Sequence, residues 1–218
     1  MLSSSAYAQR MQPRALDMVG VRQESVPLVP EVTVLTADQP WDLWDASGRD
    51  APPFWAFPWA GGQALARYVL DNPAFVRGRS VLDVASGSGL VAIAAAKAGA
   101  ASVTATDIDP NALAVIKRNT DANRVAVAAR ELNMRSGDAG GADVVLAADV
   151  FYQRELAMVS LAFLRRAAGA GADVLCADPG RAFVPRDCLD PVAMYEVPVL
   201  TAIEDAPVKA VTVYWLPC

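Results

Sequence analysis

The stretch Ser80-Val81-Leu82-Asp83-Val84-Ala85-Ser86-Gly87-Ser88-Gly89 decides the fold. Its first half is a short apolar, β-branched run, as expected of a strand buried on both faces. Its second half is a glycine-rich turn, and the alanine-rich run 90–99 that follows reads as a helix closed by Gly99. Strand, glycine turn and helix in that order open a βαβ unit. The alternation continues outward from there. Residues 102–106 read as a second strand, 110–123 as a helix with Pro110 in its first turn, 125–130 as a third strand and 143–147 as a fourth. Residues 154–168 carry apolar side chains at helical spacing and 173–177 form a fifth strand. Residues 194–200 and 210–216 close the chain as two strands with no helix-length segment between them. This pattern predicts an α/β, Rossmann-like fold with a seven-stranded, mainly parallel sheet and helices on both faces. The closing hairpin would place one antiparallel strand in that sheet.

Before Ser80 the pattern changes. Residues 26–40 are rich in Val and Pro and read as an extended edge, and 64–70 look helical. Between them lie Trp41, Trp44, Pro52, Pro53, Phe54, Trp55, Phe57, Pro58 and Trp59, which hold four of the five tryptophans. A cluster this dense is either a packed cap or a binding lip. The expectation is a single domain over 1–218: a flexible tail over 1–25, an N-terminal extension with an aromatic cap over 26–79, and a cofactor-binding core over 80–218. Residues 1–16 hold Arg10, Arg14 and three serines and no acid, a composition shared by plain disordered tails and by organellar transit peptides. The expected location is cytoplasmic, or the mitochondrial matrix if that tail is a transit peptide.

Composition removes several chemistries. The 218 residues include no histidine, so no Ser-His-Asp or Cys-His pair and no His-ligated zinc is possible. Cys176, Cys188 and Cys218 are odd in number and widely spaced, which suits neither a disulfide framework nor a zinc site and fits a reducing compartment. No metal is expected. A net charge of −5 weakly disfavours nucleic acid as a partner. No apolar run reaches the length of a membrane-spanning helix. Whatever chemistry the protein performs falls to carboxylates, tyrosine, backbone amides or a bound cofactor.

Gly87-Ser88-Gly89-Leu90-Val91-Ala92 satisfies the dinucleotide pattern G-x-G-x-x-A, a weak signal alone. Two acids decide its reading. Asp83 ends the first strand, where a carboxylate would repel the pyrophosphate of NAD or FAD and attract an ammonium or sulfonium group. Asp107 follows the second strand, where an acid accepts hydrogen bonds from both hydroxyls of a ribose. A nucleoside with a cationic tail satisfies both, and S-adenosylmethionine is such a molecule. Against this, Asp83 could be a helix cap or turn former. Asp107 could serve the helix beginning at Pro110, although Asp109 is the natural N-cap there.

These residues, with Thr106-Asp107-Ile108-Asp109 and the order of elements, resemble the class I S-adenosylmethionine-dependent methyltransferases. The segment Pro53-Phe54-Trp55-Ala56-Phe57-Pro58-Trp59-Ala60-Gly61-Gly62-Gln63-Ala64-Leu65-Ala66-Arg67-Tyr68 resembles that preceding the cofactor strand of the seven-β-strand protein lysine methyltransferases. It is most similar to the electron transfer flavoprotein β-subunit lysine methyltransferase branch. Asp149-Val150-Phe151-Tyr152, a D-x-x-Y motif, and Asp178-Pro179-Gly180-Arg181 belong to the same likeness. The resemblance implies S-adenosyl-L-methionine as cofactor, S-adenosylhomocysteine as product, and a lysine-bearing protein, the flavoprotein β-subunit, as partner.

It also implies roles. Asp83, Ala85, Ser86, Gly87 and Gly89 would hold the methionine end, Asp107 the ribose, and Ile108 the adenine face. Asn133 would reach the adenine edge or else simply form a loop. Trp59 and Gly61 would line the entrance, with Ala148 beside it. Asp149 would hold the substrate ammonium in line with the methyl, and Tyr152 would orient the freed lone pair once the proton has gone to water, to Asp149 or to Tyr152 itself; their plainer readings are an N-cap and a packed aromatic. Cys176 reads as a buried small hydrophobe. Asp178 and Arg181 could pair with each other or touch the substrate. Three other readings are a methyltransferase acting on a small molecule or another protein, a nicotinamide or flavin oxidoreductase (which Asp83 opposes), and a non-catalytic protein of the same fold.

Overall fold

The computed structural model describes residues 20–37, 53–199 and 206–217. The 1–16 stretch, Trp41, Trp44 and Cys218 lie outside them. In chain order the elements are a hairpin of β1 (Val21–Val26) and β2 (Val29–Ala37), helix α1 (Ala60–Asp71), β3 (Ser80–Val84), α2 (Leu90–Lys97), β4 (Ser102–Asp107), α3 (Pro110–Asn123) and β5 (Ala128–Glu131). They continue with β6 (Val144–Ala148), α4 (Arg154–Gly169), β7 (Asp173–Asp178), β8 (Asp190–Pro198) and β9 (Val208–Leu216).

Strands β3 to β9 form one seven-stranded sheet in the order β5-β4-β3-β6-β7-β9-β8. Neighbours from β5 to β7 run parallel, and β9 enters antiparallel between β7 and β8. The expected topology, with its single reversed strand, is the one found. The central strands are the continuous apolar runs: Val81 and Val144 face each other across β3 and β6, and Val145 pairs with Val174 across β6 and β7. One face of the sheet is covered by α1 and α2, whose Leu65, Val69, Leu90 and Ile93 are buried with Val81 and Leu146. The other is covered by α4, whose Phe163 and Leu164 pack on Leu82, Val145 and Val174.

The order of strands matters for function. From β3 the chain steps outward to β4 and β5, then returns past β3 to β6. Beyond the carboxyl ends of β3 and β6 this leaves a crevice, the place where open parallel sheets bind ligands.

Several boundaries differ from the sequence expectation, among them β8, which begins at Asp190 rather than 194. Residues Val21–Val26, assigned almost wholly to the flexible tail, are a strand paired with β2. Of the 26–40 stretch, β2 belongs to the two-stranded hairpin and not to the main sheet. Its outer backbone bonds are met by side chains of α3: Leu35 N–H donates to Asn119 Oδ1 (2.9 Å), Thr33 N–H donates to Asn123 Oδ1 (3.0 Å), and Asn123 Nδ2 donates back to Thr33 O (2.5 Å). Helix α1 begins at Ala60 rather than 64, with two glycines in its first turn. Strand β5 begins at Ala128 rather than 125, because Arg124 at φ +55° closes α3 and Val125 N–H is used on Thr120 O (3.2 Å). Among the described residues no helix is long and apolar enough to cross a membrane.

Candidate active site

The turn after β3 is bent by residues in the left-handed region: Ala85 at φ +52°, Gly87 at +55° and Gly89 at +82°. A side chain at Gly89 would also press on Ile116, whose Cγ1 lies 3.3 Å from the place of a Cβ, so that position needs glycine on two counts. Asp83 lies under the turn, 1% exposed. Its Oδ2 accepts from Ser86 Oγ and from the backbone N–H of Ala92 in α2 (3.1 Å). Asp83 thus does bind its own turn and helix, as the plainer reading held. Burial pushes its carboxyl up to about 7, against the pull of those two donors.

Asp107 ends β4 across from the turn. Its Oδ2 accepts the Gly87 N–H (3.0 Å) and its Oδ1 the Asp109 N–H (3.0 Å), and burial is the main cause raising its carboxyl above the usual range. The helix-capping role belongs to Asp109, whose Oδ1 accepts from Asn111 N (2.9 Å). Ile108, next to Asp107, is 64% exposed, an uncovered apolar side chain at the lip of the crevice. Asn133 is exposed, and its Oδ1 accepts from Arg135 N (2.9 Å), the bond of a loop-forming Asn.

On the far side of the crevice Asp149 follows β6 with φ +58°, its N–H bonded to Ala177 O (3.0 Å). Its Oδ2 accepts the Gly62 N–H of the first turn of α1 (2.9 Å), one of the donors a helix start leaves unpaired. Its Oδ1 accepts from Arg181 Nη1 (2.5 Å). The same nitrogen reaches Asp178 Oδ2 (3.1 Å), so the sequence's open question about Asp178 and Arg181 resolves into an ion pair shared by two carboxylates. Burial raises the Asp149 carboxyl, and Arg181 opposes that rise. Asp149 therefore caps a helix, although not the one that follows it, and still stands in the crevice.

Tyr152 is half-buried, its ring 5.4 Å from Phe54, and burial leads the causes raising its hydroxyl. Phe54 in turn lies 5.9 Å from Trp59, whose Nε1 donates to Phe54 O (2.7 Å). The aromatic cluster splits here: Trp55 and Phe57 are core, while Phe54, Trp59 and Tyr152 form a partly exposed wall. Phe54 O and Trp55 Cα lie 3.7 and 3.9 Å from where a Cβ on Gly87 would stand, so this segment lies against the glycine turn. Gly61 is buried against Asp149 and Ala177 O rather than lining an open entrance, and Ala148 precedes Asp149 with partial exposure.

Three groups that the sequence reading gave no role hold this arrangement together. Gln63, 1% exposed, accepts Leu28 N–H (3.2 Å) and donates to Pro58 O (2.8 Å) and Pro198 O (3.3 Å). Asn119 Nδ2 donates to Ser88 O in the glycine turn (2.8 Å). Phe54 completes the wall. The signal for Gln63 and Asn119 was a polar residue inside an apolar helical stripe.

The donor set fits S-adenosylmethionine. Glycines in left-handed conformation let a ligand approach the turn, two raised carboxyls favour a cation and a diol, and Ile108 offers an apolar face. Asp83 and the Gly87–Gly89 turn would hold the amino-acid end, and Asp107 the ribose.

Comparison with known proteins points the same way. The model of the ribosomal protein L11 methyltransferase (PrmA) family matches residues 64–152. The electron transfer flavoprotein beta subunit lysine methyltransferase of Xenopus laevis is 38% identical over 175 residues, covering 78% of this chain and 71% of that protein. Its Rattus norvegicus counterpart is 43% identical over 145 residues, covering 64% of this chain but only 54% of the relative. Among solved structures, the Pyrococcus abyssi tRNA (uracil-54, C5)-methyltransferase in complex with S-adenosyl-L-homocysteine is similar at TM-score 0.56 and 16% identity, over 90% of this chain and 44% of that one. That likeness speaks to the fold.

Proposed function

We propose, from the premise that this chain belongs to the electron transfer flavoprotein β-subunit lysine methyltransferase family of S-adenosylmethionine-dependent enzymes, that it methylates a lysine side chain on a protein. The acceptor we favour is the β-subunit of electron transfer flavoprotein. The observation that carries this reading is the position of Asp149 and Tyr152 just after β6, the neighbour of β3, whose end carries the glycine turn, with the Tyr152 ring joined to Phe54 and Trp59 in one wall.

When bound, the cofactor supplies an activated sulfonium methyl for direct displacement by an amine. The protein's share is to bring in and orient the amine. A lysine arrives as ammonium, which the Asp149 carboxylate attracts. That same attraction raises the amine pKa and opposes deprotonation, so the proton leaves to water rather than to Asp149. The aromatic wall then limits the orientations open to the neutral amine, and positioning of this kind is the main catalytic device left to a chain without histidine.

The test is incubation with methyl-labelled cofactor and the flavoprotein β-subunit. Lysine label on the subunit is expected. Label on other proteins of an extract, with none on the subunit, refutes the acceptor. A second reading, a ribosomal-protein acceptor, draws on the PrmA family match over residues 64–152. The odd number and wide spacing of the cysteines suit a reducing compartment, and we place the enzyme in the cytoplasm or, if residues 1–16 direct import, in the mitochondrial matrix.

A further inference from the structure

Asp149 has little freedom of its own. Its backbone sits at φ +58° and is tied by its N–H to Ala177 O. The direction of the carboxylate is therefore set by what its two oxygens touch: Gly62 N–H on one side and Arg181 on the other. Arg181 is itself anchored through Asp178, which is 0% exposed. Asp178 Oδ1 accepts both the Gly180 N–H (2.8 Å) and the Arg181 N–H (2.7 Å), and Asp178 Oδ2 accepts from Arg181 Nη1. The result is a chain of contacts from the end of β7, through Arg181, to the acid after β6.

We infer that Arg181 is a positioning residue for the transfer reaction: its guanidinium, clamped between Asp178 and Asp149, keeps the Asp149 carboxylate an anion and aims it where an acceptor ammonium meets it. The charge count supports this. Two carboxylates share one guanidinium, which leaves the cluster one negative charge in excess and able to draw in a second cation. A one-to-one pair would be neutral and would not. The inference rests on the proposed lysine acceptor for its catalytic consequence, while the clamp itself does not depend on it.

The groups facing Asp149 are Arg181 and Asp178 from the end of β7, the Gly62 N–H at the positive end of α1, and Tyr152 in the next turn, with Asp107 acting on Tyr152 from β4. Removing the guanidinium leaves two acids together in a largely dry place. Asp149 then keeps one backbone donor, from Gly62, against the burial that already raises its carboxyl, so it retains its proton to higher pH than with Arg181 in place.

Arg181→Met removes the charge and Arg181→Lys keeps it. Two measurements follow, on the full chain. In thermal unfolding from about pH 4, the unfolded-state value of an Asp, up to about pH 9, a folded-state pKa raised further by Arg181→Met gives stability that is present at low pH and lost as pH rises through the folded-state value. The Tm gap between wild type and Arg181→Met should therefore widen with rising pH, while Arg181→Lys stays within a nearly constant gap. In methyl transfer to the flavoprotein β-subunit, the acid limb of the kcat/KM profile should move upward in Arg181→Met, losing about tenfold at neutral pH per unit moved, with partial rescue at high pH and by lysine. A gap that is constant with pH, or equal in the two variants, overturns the inference and makes Arg181 merely structural. Should wild type bind S-adenosylhomocysteine yet label no lysine, the acceptor assignment fails, and the unfolding measurement, which needs no acceptor, still decides Arg181.

Discussion

Gly61 and Gly62 are adjacent in the first turn of α1, and replacing each by alanine should have opposite consequences. A Cβ on Gly62 meets only Leu90 Cδ2 at 3.7 Å, an ordinary contact. Exchanging glycine for alanine in a helix gains up to about 1 kcal/mol, so Gly62→Ala should be neutral or mildly stabilising. A Cβ on Gly61 would stand 2.6 Å from Asp149 Oδ2 and 2.7 Å from Ala177 O. Neither atom can yield easily. Ala177 O is backbone inside the sheet and accepts Asp149 N–H, and Asp149 is held by Arg181. Overpacking costs about 1–3 kcal/mol, and losing a bond from Gly62 N–H to a charged oxygen costs about 1.5–3 more. Set against the helix gain, the net loss is about 2–5 kcal/mol. At about 2–4 °C per kcal/mol for a chain of this size, Tm should fall by roughly 4–20 °C. Denaturant and thermal unfolding of the two variants, with S-adenosylhomocysteine titration and methyl transfer alongside, give the comparison. Equal stability of Gly61→Ala and Gly62→Ala would refute the close approach of α1 to Asp149.

Asp149→Asn should lower methyl transfer by about a hundredfold or more while leaving S-adenosylhomocysteine affinity within a few fold, measured by labelled transfer and calorimetry; unchanged turnover would leave the acid with its helix-capping role alone. Asn119→Ala leaves Leu35 N–H and Ser88 O without their partner in a fully buried place, so a loss of about 2–4 kcal/mol is expected by denaturant unfolding, together with weaker cofactor binding because Ser88 lies in the glycine turn. Asp83, with its carboxyl at about 7, gives two linked pH effects. Being raised in the folded state, it contributes stability at low pH that is lost as pH climbs from about 4 to about 7. Binding of the cofactor's cationic end needs the ionised form, so S-adenosylhomocysteine affinity should fall below pH 7 by up to about tenfold per unit, and Asp83→Asn should flatten that dependence in calorimetry.

The parts of the fold that were legible are those written in local periodicity. β6 is an unbroken apolar run, β3 and β7 are apolar apart from Ser80 and their acids Asp83, Asp173 and Asp178, α4 shows its stripe, and Asp109-Pro110 announces α3 by a cap and a proline. What was not legible depends on distant partners. Two consecutive glycines argue against a helix start on propensity, yet α1 begins before them because Asp149, far along the chain, supplies the cap and Ala177 leaves no room for a side chain. The hairpin could not be told from a sheet edge, since on the side of β2 away from β1 its backbone groups are met by the amides of Asn119 and Asn123 rather than by a further strand. At the site the acids were legible as acids, but their duties were not. Asp83 reads as a ligand group and is also a clamp on Ser86 and α2, and Asp149 reads as a catalytic acid and is also tied to α1.

These double duties explain how a chain without histidine can hold so much negative charge in one crevice. Asp83, Asp107, Asp149 and Asp178 stand at the carboxyl ends of β3, β4, β6 and β7. Arg181 pairs with the last two, while among the described residues Asp83 and Asp107 form no ion pair and rely on backbone N–H groups and the Ser86 hydroxyl. Neutral donors stabilise a buried carboxylate only in part, which is why both carboxyls are raised. The edge is thus complete as a scaffold, each acid fixed in direction by turn and helix amides, but short of positive charge. A sulfonium nucleoside and a lysine ammonium are the two cations the proposed reaction brings together there. Each should bind more tightly than its contacts alone would give, because each also relieves the repulsion among the acids that hold it.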